Sequence, residues 1–296
     1  MKIAAVKKLN PYHRFVYYMN ERYAIRERRN NGELRPWTDD TILDTYKFTN
    51  VKRRWDRTSQ WLITNWYQPY GSRPTAGLAA VTARFICFQP SLELIGFPSI
   101  ETNAWLKRAE FKLHDRARSG HKVFTSAYMI AGGSSEGRSK VEWVFNDVIQ
   151  PAWKSGLLTD KWKGTAMALH NELRTLNNFG DFMTQEVILD LMETYVLADA
   201  PDRQTYGMAG PGALRGLKRV AGVSIEDRLN RTDAREQMVL LWETLRESGD
   251  LDSGLRPLTV HDVEFCLCEF DKFERVLWGE GTPKQLFKSY DGGLGL

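Results

Sequence analysis

The sequence predicts an all-α fold. Apolar residues recur at helical spacing along most of the chain, Gly and Pro fall between the periodic stretches, and nothing alternates strand with helix in the manner of a βαβ unit. No internal repeat or low-complexity linker breaks the pattern. With 296 residues, 42% of them hydrophobic, the chain can bury a core as one helical domain over 1–296, or as two helical lobes dividing near 130–165.

The first helix is read from "PYHRFVYYMNERYAIRERRNNG" (11–32), closed by its Asn-Asn-Gly. A second opens in "PWTDDTILDTYKF" (36–48), with Thr38 as N-cap and Asp39 and Asp40 at the positive end of the helix dipole. After a bend near Thr49 comes "FTNVKRRWDRTSQWL" (48–62). On a helical projection Phe48, Val51, Trp55, Thr58 and Leu62 form one apolar stripe, while Asn50, Arg53, Arg54 and Arg57 gather opposite, with Asp56 on the flank. A solvated face usually mixes Lys with Glu at i,i+4 spacing. This one is nearly all Arg, whose planar fork suits phosphate or carboxylate.

"PSLELIGF" (90–97), "IETNAWLKRAEFKLHDRARSG" (100–120) and "SKVEWVFNDVIQPAWKSGL" (139–157) continue in helical style. The stretch "AGGSSEGRS" (131–139) spaces Gly132 and Gly137 as a phosphate loop does. Arg138 stands where that loop needs Lys, and no apolar strand leads in, so it reads as a surface loop. In "ALHNELRTLNNFGDFMTQEVILDLMET" (168–194), two helical patterns flank a short turn that Gly180 permits. The pair resembles the helix–hairpin–helix of the DNA glycosylase superfamily, which holds a DNA phosphate on backbone N–H groups, although Asp181 replaces the second hairpin glycine. An ordinary packing corner fits the same residues.

Two later segments carry charge into apolar helices. In "DAPDRQTYGMAGPGALRGLKRVAG" (199–222), Gly210, Gly212 and Gly216 surround Pro211 and lead into a helix bearing Arg215, Lys218 and Arg219, a combination suited to cradling an anion. In "LTVHDVEFCLCEFDKFERVLWGEG" (258–281), Thr259 caps a helix whose buried stripe is Val263, Cys266, Leu267, Phe270, Phe273 and Leu277. Glu264, Asp271 and Arg275 share another face, and Glu269 and Lys272 stand i,i+3 apart. Such a helix is either internally salt-bridged or part of a site.

Composition narrows the function classes. No apolar run is long enough to span a bilayer, and the N-terminal stretch lacks a secretory h-region, which points to a cytoplasmic protein with no membrane partner. Three cysteines, Cys87, Cys266 and Cys268, make no disulfide framework, and with His261 they leave a metal one ligand short. The net charge of +4 hides an asymmetry: residues 1–60 hold fourteen Lys/Arg against seven Asp/Glu, and the remainder is net negative. A local basic excess is the footprint of a nucleic-acid or polyphosphate partner.

Four ordered blocks carry a resemblance: "ERYAIRERR" with "PWTDDTILDTYKFTNVKRRWDR"; "VFTSAYMI" with "FGDFMTQEVILDL"; "AGPGALRGL"; and "HDVEFCLCEFDKFER". Together they resemble the alpha-glutamyl/putrescinyl-thymine pyrophosphorylases, the amino acid:DNA transferases of bacteriophage thymine hypermodification. These are related to the helical domain of the 5-hydroxymethyluracil DNA kinases. The resemblance spans roughly residues 10–290 and implies a helical, helix–hairpin–helix glycosylase-like fold. The kinase branch adds a nucleotide-binding P-loop domain, for which 296 residues leave no room, so the transferase branch fits better. It implies double-stranded DNA carrying a pyrophosphorylated 5-hydroxymethyl-deoxyuridine as one substrate, met in the host cytoplasm during phage infection, and a free amino acid or polyamine as the other. The amine displaces pyrophosphate from an extruded base.

The resemblance also distributes roles. Asn50, Arg53, Arg54 and Arg57 would surround the pyrophosphate, with Gly210, Gly212 and Arg215 as a cradle and Gly180, Lys218 and Arg219 on DNA. Glu264 or Glu269 would act as base, with Asp199 and Asp202 as rivals because the glycosylase Asp follows its hairpin at about that distance. Lys272 would contact phosphate or hold the carboxylates. No cofactor is implied, and no ligand spacing indicates a divalent metal. Two other readings use the same residues: a base-excising glycosylase, and a DNA-binding module that recruits modification enzymes.

Overall fold

The computed structural model describes residues 1–125 and 137–287. It is all-helical: among the described residues there is no β-strand, and one antiparallel bridge joins Tyr46 to Leu286. The chain forms two compact units, the first discontinuous (Met1–Asp56 and Gly207–Leu296) and the second inserted into it (Arg57–Tyr206). The division therefore falls at the ends of an insertion and not near 130–165.

The first unit begins with α1 (Ile3–Val6), α2 (Pro11–Asn30) and α3 (Thr41–Thr45). Asn10 caps α2 by accepting from the His13 N–H, and Pro11 takes the first-turn position where its missing N–H costs nothing. The second predicted helix is shorter than its sequence pattern. Its N-cap is Asp40, which accepts from Ile42 and Leu43, while Thr38 accepts from the Asp40 N–H. At its far end the residues either side of Leu286 bond to the 45–47 backbone, which turns extended: the Lys47 N–H donates to the Gln285 carbonyl and the Phe287 N–H to the Thr45 carbonyl.

The second unit holds α4 (Arg57–Leu62), α5 (Gln68–Tyr70), α6 (Ala76–Ile86), α7 (Gln89–Ile95), α8 (Thr102–Arg118), α9 (Lys140–Trp143), α10 (Gln150–Lys154), α11 (Ala166–Leu173) and α12 (Asp181–Leu191). Single π-turns, Ile63–Tyr67 and Val144–Ile149, join α4 to α5 and α9 to α10. Each lies just ahead of a proline, Pro69 or Pro151, whose ring would clash with the carbonyl four residues back; widening the turn moves that carbonyl aside. Every residue of α6 is buried. Its one charge, Arg84, is held by Asp190 of α12, with Nη2 2.6 Å from Oδ1 and Nε on the other oxygen, while the Tyr67 hydroxyl donates to Asp190 at 2.9 Å.

The α11–α12 corner differs from the hairpin read in the sequence. The left-handed residue is Asn178 (φ 71°), while Gly180 is the extended N-cap of α12 at φ −71°. Asp181 already places a carboxylate in the first turn of α12, where it pairs with Arg174 Nε at 2.7 Å. The stretch 131–139 and the block 123–130 lie largely outside the described residues; within them, Arg138 pairs with Asp147 at 2.8 Å.

The chain returns to the first unit as α13 (Pro211–Ala221), α14 (Arg231–Glu247) and α15 (Val260–Trp278). The predicted stripe of α15 is fully buried and meets α2 in an aromatic cluster, Phe15 against Phe270 at 5.1 Å and Tyr18 against Phe273 at 5.5 Å. A capping box at Thr259 and Asp262 starts the helix, and left-handed Gly279 ends it. α13 packs directly on α15 because Gly216 has no side chain: an added Cβ would lie 2.0 Å from the Leu267 carbonyl oxygen. At Gly212 it would meet Cys268 Sγ at 2.5 Å, and at Gly210 nothing nearer than Glu264 Oε1 at 3.7 Å. Gly216→Ala should therefore cost about 3 kcal/mol in urea unfolding, while Gly210→Ala should cost little.

In the second unit, burial, reinforced by the nearby Arg174 charge, pushes the His170 imidazole down to about 4 from 6.5, and its Nδ1 shares a 2.7 Å hydrogen bond with the Tyr206 hydroxyl. The unfolded chain binds that proton below pH 6.5 and the folded one does not until about pH 4. Stability should fall with pH across that window, and His170→Gln should flatten the decline in urea midpoints measured from pH 7 to 4.

Candidate functional site

The basic stretch 48–56 is not the predicted helix. Residues 47–52 run extended and irregular, Arg53–Trp55 form one 3-10 turn, and the true helix begins at Arg57 in the second unit. Tertiary hydrogen bonds override the helical pattern. From α2, the buried Arg22 guanidinium donates to the Phe48 carbonyl at 3.1 Å and the Thr49 carbonyl at 3.2 Å. From α15, Glu269 Oε2 accepts the Thr49 N–H and Asp262 Oδ1 accepts the Arg53 N–H, both at 3.3 Å. The Cys266 thiol donates to the Val51 carbonyl at 3.3 Å. The stretch is thus a strap laid across α15, with Phe48 and Val51 as its apolar anchors.

Along the strap the side chains divide. Asn50 closes its own turn, donating to the Trp55 carbonyl and to Asp56 Oδ1 at 3.2 and 3.1 Å. Lys52 and Arg53 are buried, and Arg54 is exposed. The Lys52 ammonium sits 5.0 Å from the Trp55 ring centre, and the Arg26 guanidinium lies 4.2 Å from the same ring. Burial pushes the Lys52 ammonium below its ordinary value, with Asp262 partly opposing; burial pushes the Asp262 carboxyl up, offset by Thr259, the Arg53 N–H and Lys52.

Below the strap, α15 buries five carboxylates: Asp262, Glu264, Glu269, Asp271 and Glu274. Burying a charge is tolerated only with partners. Glu269 bonds Lys272 as well as the Thr49 N–H. Glu274 takes Arg14 in a two-pronged pair at 2.8 and 3.0 Å. Asp271 gathers Arg215, Arg219 and Arg275. Glu264 has His261 Nδ1 3.7 Å from its Oε2, and its Oε1 lies beside Gly210, the N-cap of α13. Burial, with Glu269 adding to it, pushes the Cys268 thiol up to about 11, so it is no ready thiolate.

The first unit thus brings together Asn50, Arg53, Arg54, Gly210, Gly212, Arg215, Lys218, Arg219, Glu264, Glu269 and Lys272. Gly180, Asp199, Asp202 and Arg57 belong to the second. There Asp202 caps α11, accepting from the Ala166 and Met167 N–H groups at 2.6 and 3.1 Å, and exposed Asp199 pairs with Lys161. Gly212 and Gly216 spend their missing side chains on α15, leaving no space there for a ligand. Lys218 Nζ donates to the Ile225 carbonyl at 2.9 Å. Among the described residues no group of three His, Cys, Asp or Glu side chains is placed to hold a metal ion, and no helix is long and apolar enough to cross a membrane.

Against known proteins, residues 10–282 match the family described as the helical domain of 5-hmdU DNA kinase. The chain belongs to that family. It is similar to the 5-hmdU DNA kinase of Bacillus phage SP10, 26% identical over 291 residues that take in 87% of this chain and 44% of the phage protein. The chain thus spans under half the length of the curated relative it matches. No solved structure matches it.

Within this family member, several site neighbours escaped the sequence pattern. Lys52 and Asp262 gave no signal beyond belonging to charged positions of otherwise apolar stretches, and His261 was weighed only as a metal ligand beside the cysteines. Glu269, once weighed as a base, is committed to holding Lys272 and the strap backbone. Glu269→Ala should lower unfolding free energy by about 2–3 kcal/mol, since it strands a buried N–H and a cation. Wild-type stability in a denaturation series would instead mean that Glu269 is not the anchor.

Proposed function

We propose that this chain acts in phage thymine hypermodification, as a transferase on pyrophosphorylated 5-hydroxymethyl-deoxyuridine in DNA. The observation that carries the reading is Glu264, a buried carboxylate beside the N-cap of α13, in the same unit as the cationic strap. Membership in the family of kinase helical domains supports a modified-pyrimidine DNA substrate, because the phage relative's name specifies 5-hmdU DNA.

In the reaction, an amine nitrogen attacks the methylene carbon on C5, the C–N bond forms as the C–O bond breaks, and the electron pair leaves with pyrophosphate. The attacking nitrogen must shed a proton, and Glu264 is the acceptor we assign. Arg54 of the strap and Arg215 of α13 oppose the charge that develops on the leaving group. The amine partner is a free amino acid or polyamine, and the chemistry asks for no cofactor.

Incubation with pyrophosphorylated hydroxymethyluracil DNA and a mixture of amines, followed by nucleoside mass spectrometry, tests this. A new aminated nucleoside is expected, and Glu264→Gln should cut its rate roughly 100-fold or more without moving the melting temperature. Unchanged substrate DNA with every amine would sink the transferase reading. The relative's kinase name favours a second reading, in which the helical domain presents 5-hmdU DNA for phosphorylation. Phosphate incorporated from labelled ATP into 5-hmdU DNA, dependent on this chain and without amination, would decide for it.

A further inference from the structure

Asp271 organises more positive charge than it can neutralise. The carboxylate is buried, on α15, and three guanidinium groups meet it: Arg219 Nε at 2.7 Å from Oδ1, Arg215 Nε at 3.2 Å and Arg275 Nε at 3.3 Å from the same Oδ2. Arg219 is matched a second time, because Glu280 takes its Nη2 at 2.5 Å. Arg275 is not, and Arg215 meets Glu280 only as a neighbouring charge, without a hydrogen bond. Arg215 donates its Nε to Asp271, Arg275 brings its Nε within 3.3 Å of Oδ2 without a hydrogen bond, and neither has a hydrogen bond from a terminal nitrogen to any described residue. About a third of each side chain is open to solvent (39% and 33%).

This is an unusual way to spend two arginines. An Arg–carboxylate pair that serves stability alone tends to engage in a two-pronged fashion, as Arg14 does with Glu274 in this same unit. Here each guanidinium comes to the carboxylate through Nε alone, and the terminal nitrogens of both are left without a hydrogen-bond partner among the described residues. The close approach of α13 to α15 at Gly212 and Gly216 makes the arrangement possible, since Arg215 lies between those glycines and reaches Asp271 from the neighbouring helix. Arg275 stands one helical turn beyond Asp271 on α15 itself.

We infer that Arg215 and Arg275, oriented by Asp271, form a two-armed clamp for a phosphate oxyanion. The donor set matches the ligand: two part-exposed guanidinium groups whose terminal nitrogens have no hydrogen-bond partner among the described residues, a planar fork on each arm, three arginines around one buried carboxylate, and that carboxylate lowering the rotamer entropy such long side chains would otherwise lose on binding. Phosphate oxyanions reach such a surface from two sources, the backbone of DNA and free pyrophosphate. Lys272, next in sequence to Asp271, belongs to the Glu269 pair and is not a third arm.

The inference lies in the same unit as the proposed transfer site but is tested by binding alone, so it survives or fails separately from the transferase reading. The full chain is titrated calorimetrically at low ionic strength with inorganic pyrophosphate and, separately, with an unmodified DNA duplex. The same is done for Arg215→Gln, Arg275→Gln and a control, Arg246→Gln, whose guanidinium lies over Trp242. If pyrophosphate is the ligand, each clamp variant weakens it about tenfold and leaves the duplex unchanged. If backbone phosphate is the ligand, each variant weakens the duplex about tenfold and lowers the slope of log K against log salt by about 1. Arg246→Gln stays at wild type in either case. Unaltered affinity for both probes in both variants overturns the clamp. So does a fall in melting temperature that accounts for the loss in both, since the arginines would then be structural. Absence of amine transfer by the wild-type chain would leave these affinities untouched.

Discussion

One helix that buries five carboxylates imposes its order on the first unit. Each carboxylate of α15 must recover in hydrogen bonds and ion pairs what it loses in hydration, and the partners come from different parts of the chain. Glu274 draws Arg14 from α2, Glu269 and Asp262 draw backbone N–H groups from the strap, and Asp271 draws two arginines from α13. An apolar stripe alone would let α15 slide or rotate among similar packings. Directional partners on its other faces specify one register, and they gather segments more than 200 residues apart in sequence around one helix.

The same requirement sorts the carboxylates by what they can still do. Asp262, Glu269, Asp271 and Glu274 accept hydrogen bonds that position backbone or guanidinium groups, and proton uptake at any of them would release an anchor. Glu264 has a histidine at 3.7 Å and lies beside the glycine that begins α13. A proton acceptor must change charge during turnover without unlatching the fold. Under the proposed function that requirement weighs against Glu269, which holds Lys272 and the strap backbone, although it and Glu264 stood equal in the amino-acid pattern.

The helices were legible in the sequence because periodicity and caps are local properties. The buried stripe of α15 and its Thr259 cap follow from spacing alone, as do α2 and the long α8. The strap was not legible, for a physical reason. Its apolar residues recur at helical intervals, but the backbone donors of Thr49 and Arg53 are taken by carboxylates some 210 to 220 residues away, and a helix would have used those donors internally. Glycine was misleading in the same way. The Gly-Pro-Gly of 210–212 signals a close backbone approach, and there is one, but at Gly212 and Gly216 the approaching group is α15. Sequence reports that something comes near, not what.

Arginine placement follows the same logic and explains why net charge is a blunt guide. The basic excess of the first sixty residues drew attention to the strap, yet Arg22 and Arg53 are buried there and Arg22 serves the backbone. Arg215 and Arg275, part-exposed and with no hydrogen bond from a terminal nitrogen to any described residue, are instead on α13 and α15, in a part of the chain whose overall charge is negative. A guanidinium recognises an anion through its free nitrogens and its orientation, and both are set by what holds its stem. Counting charges along a sequence weighs every arginine equally; a buried carboxylate decides which of them remain available.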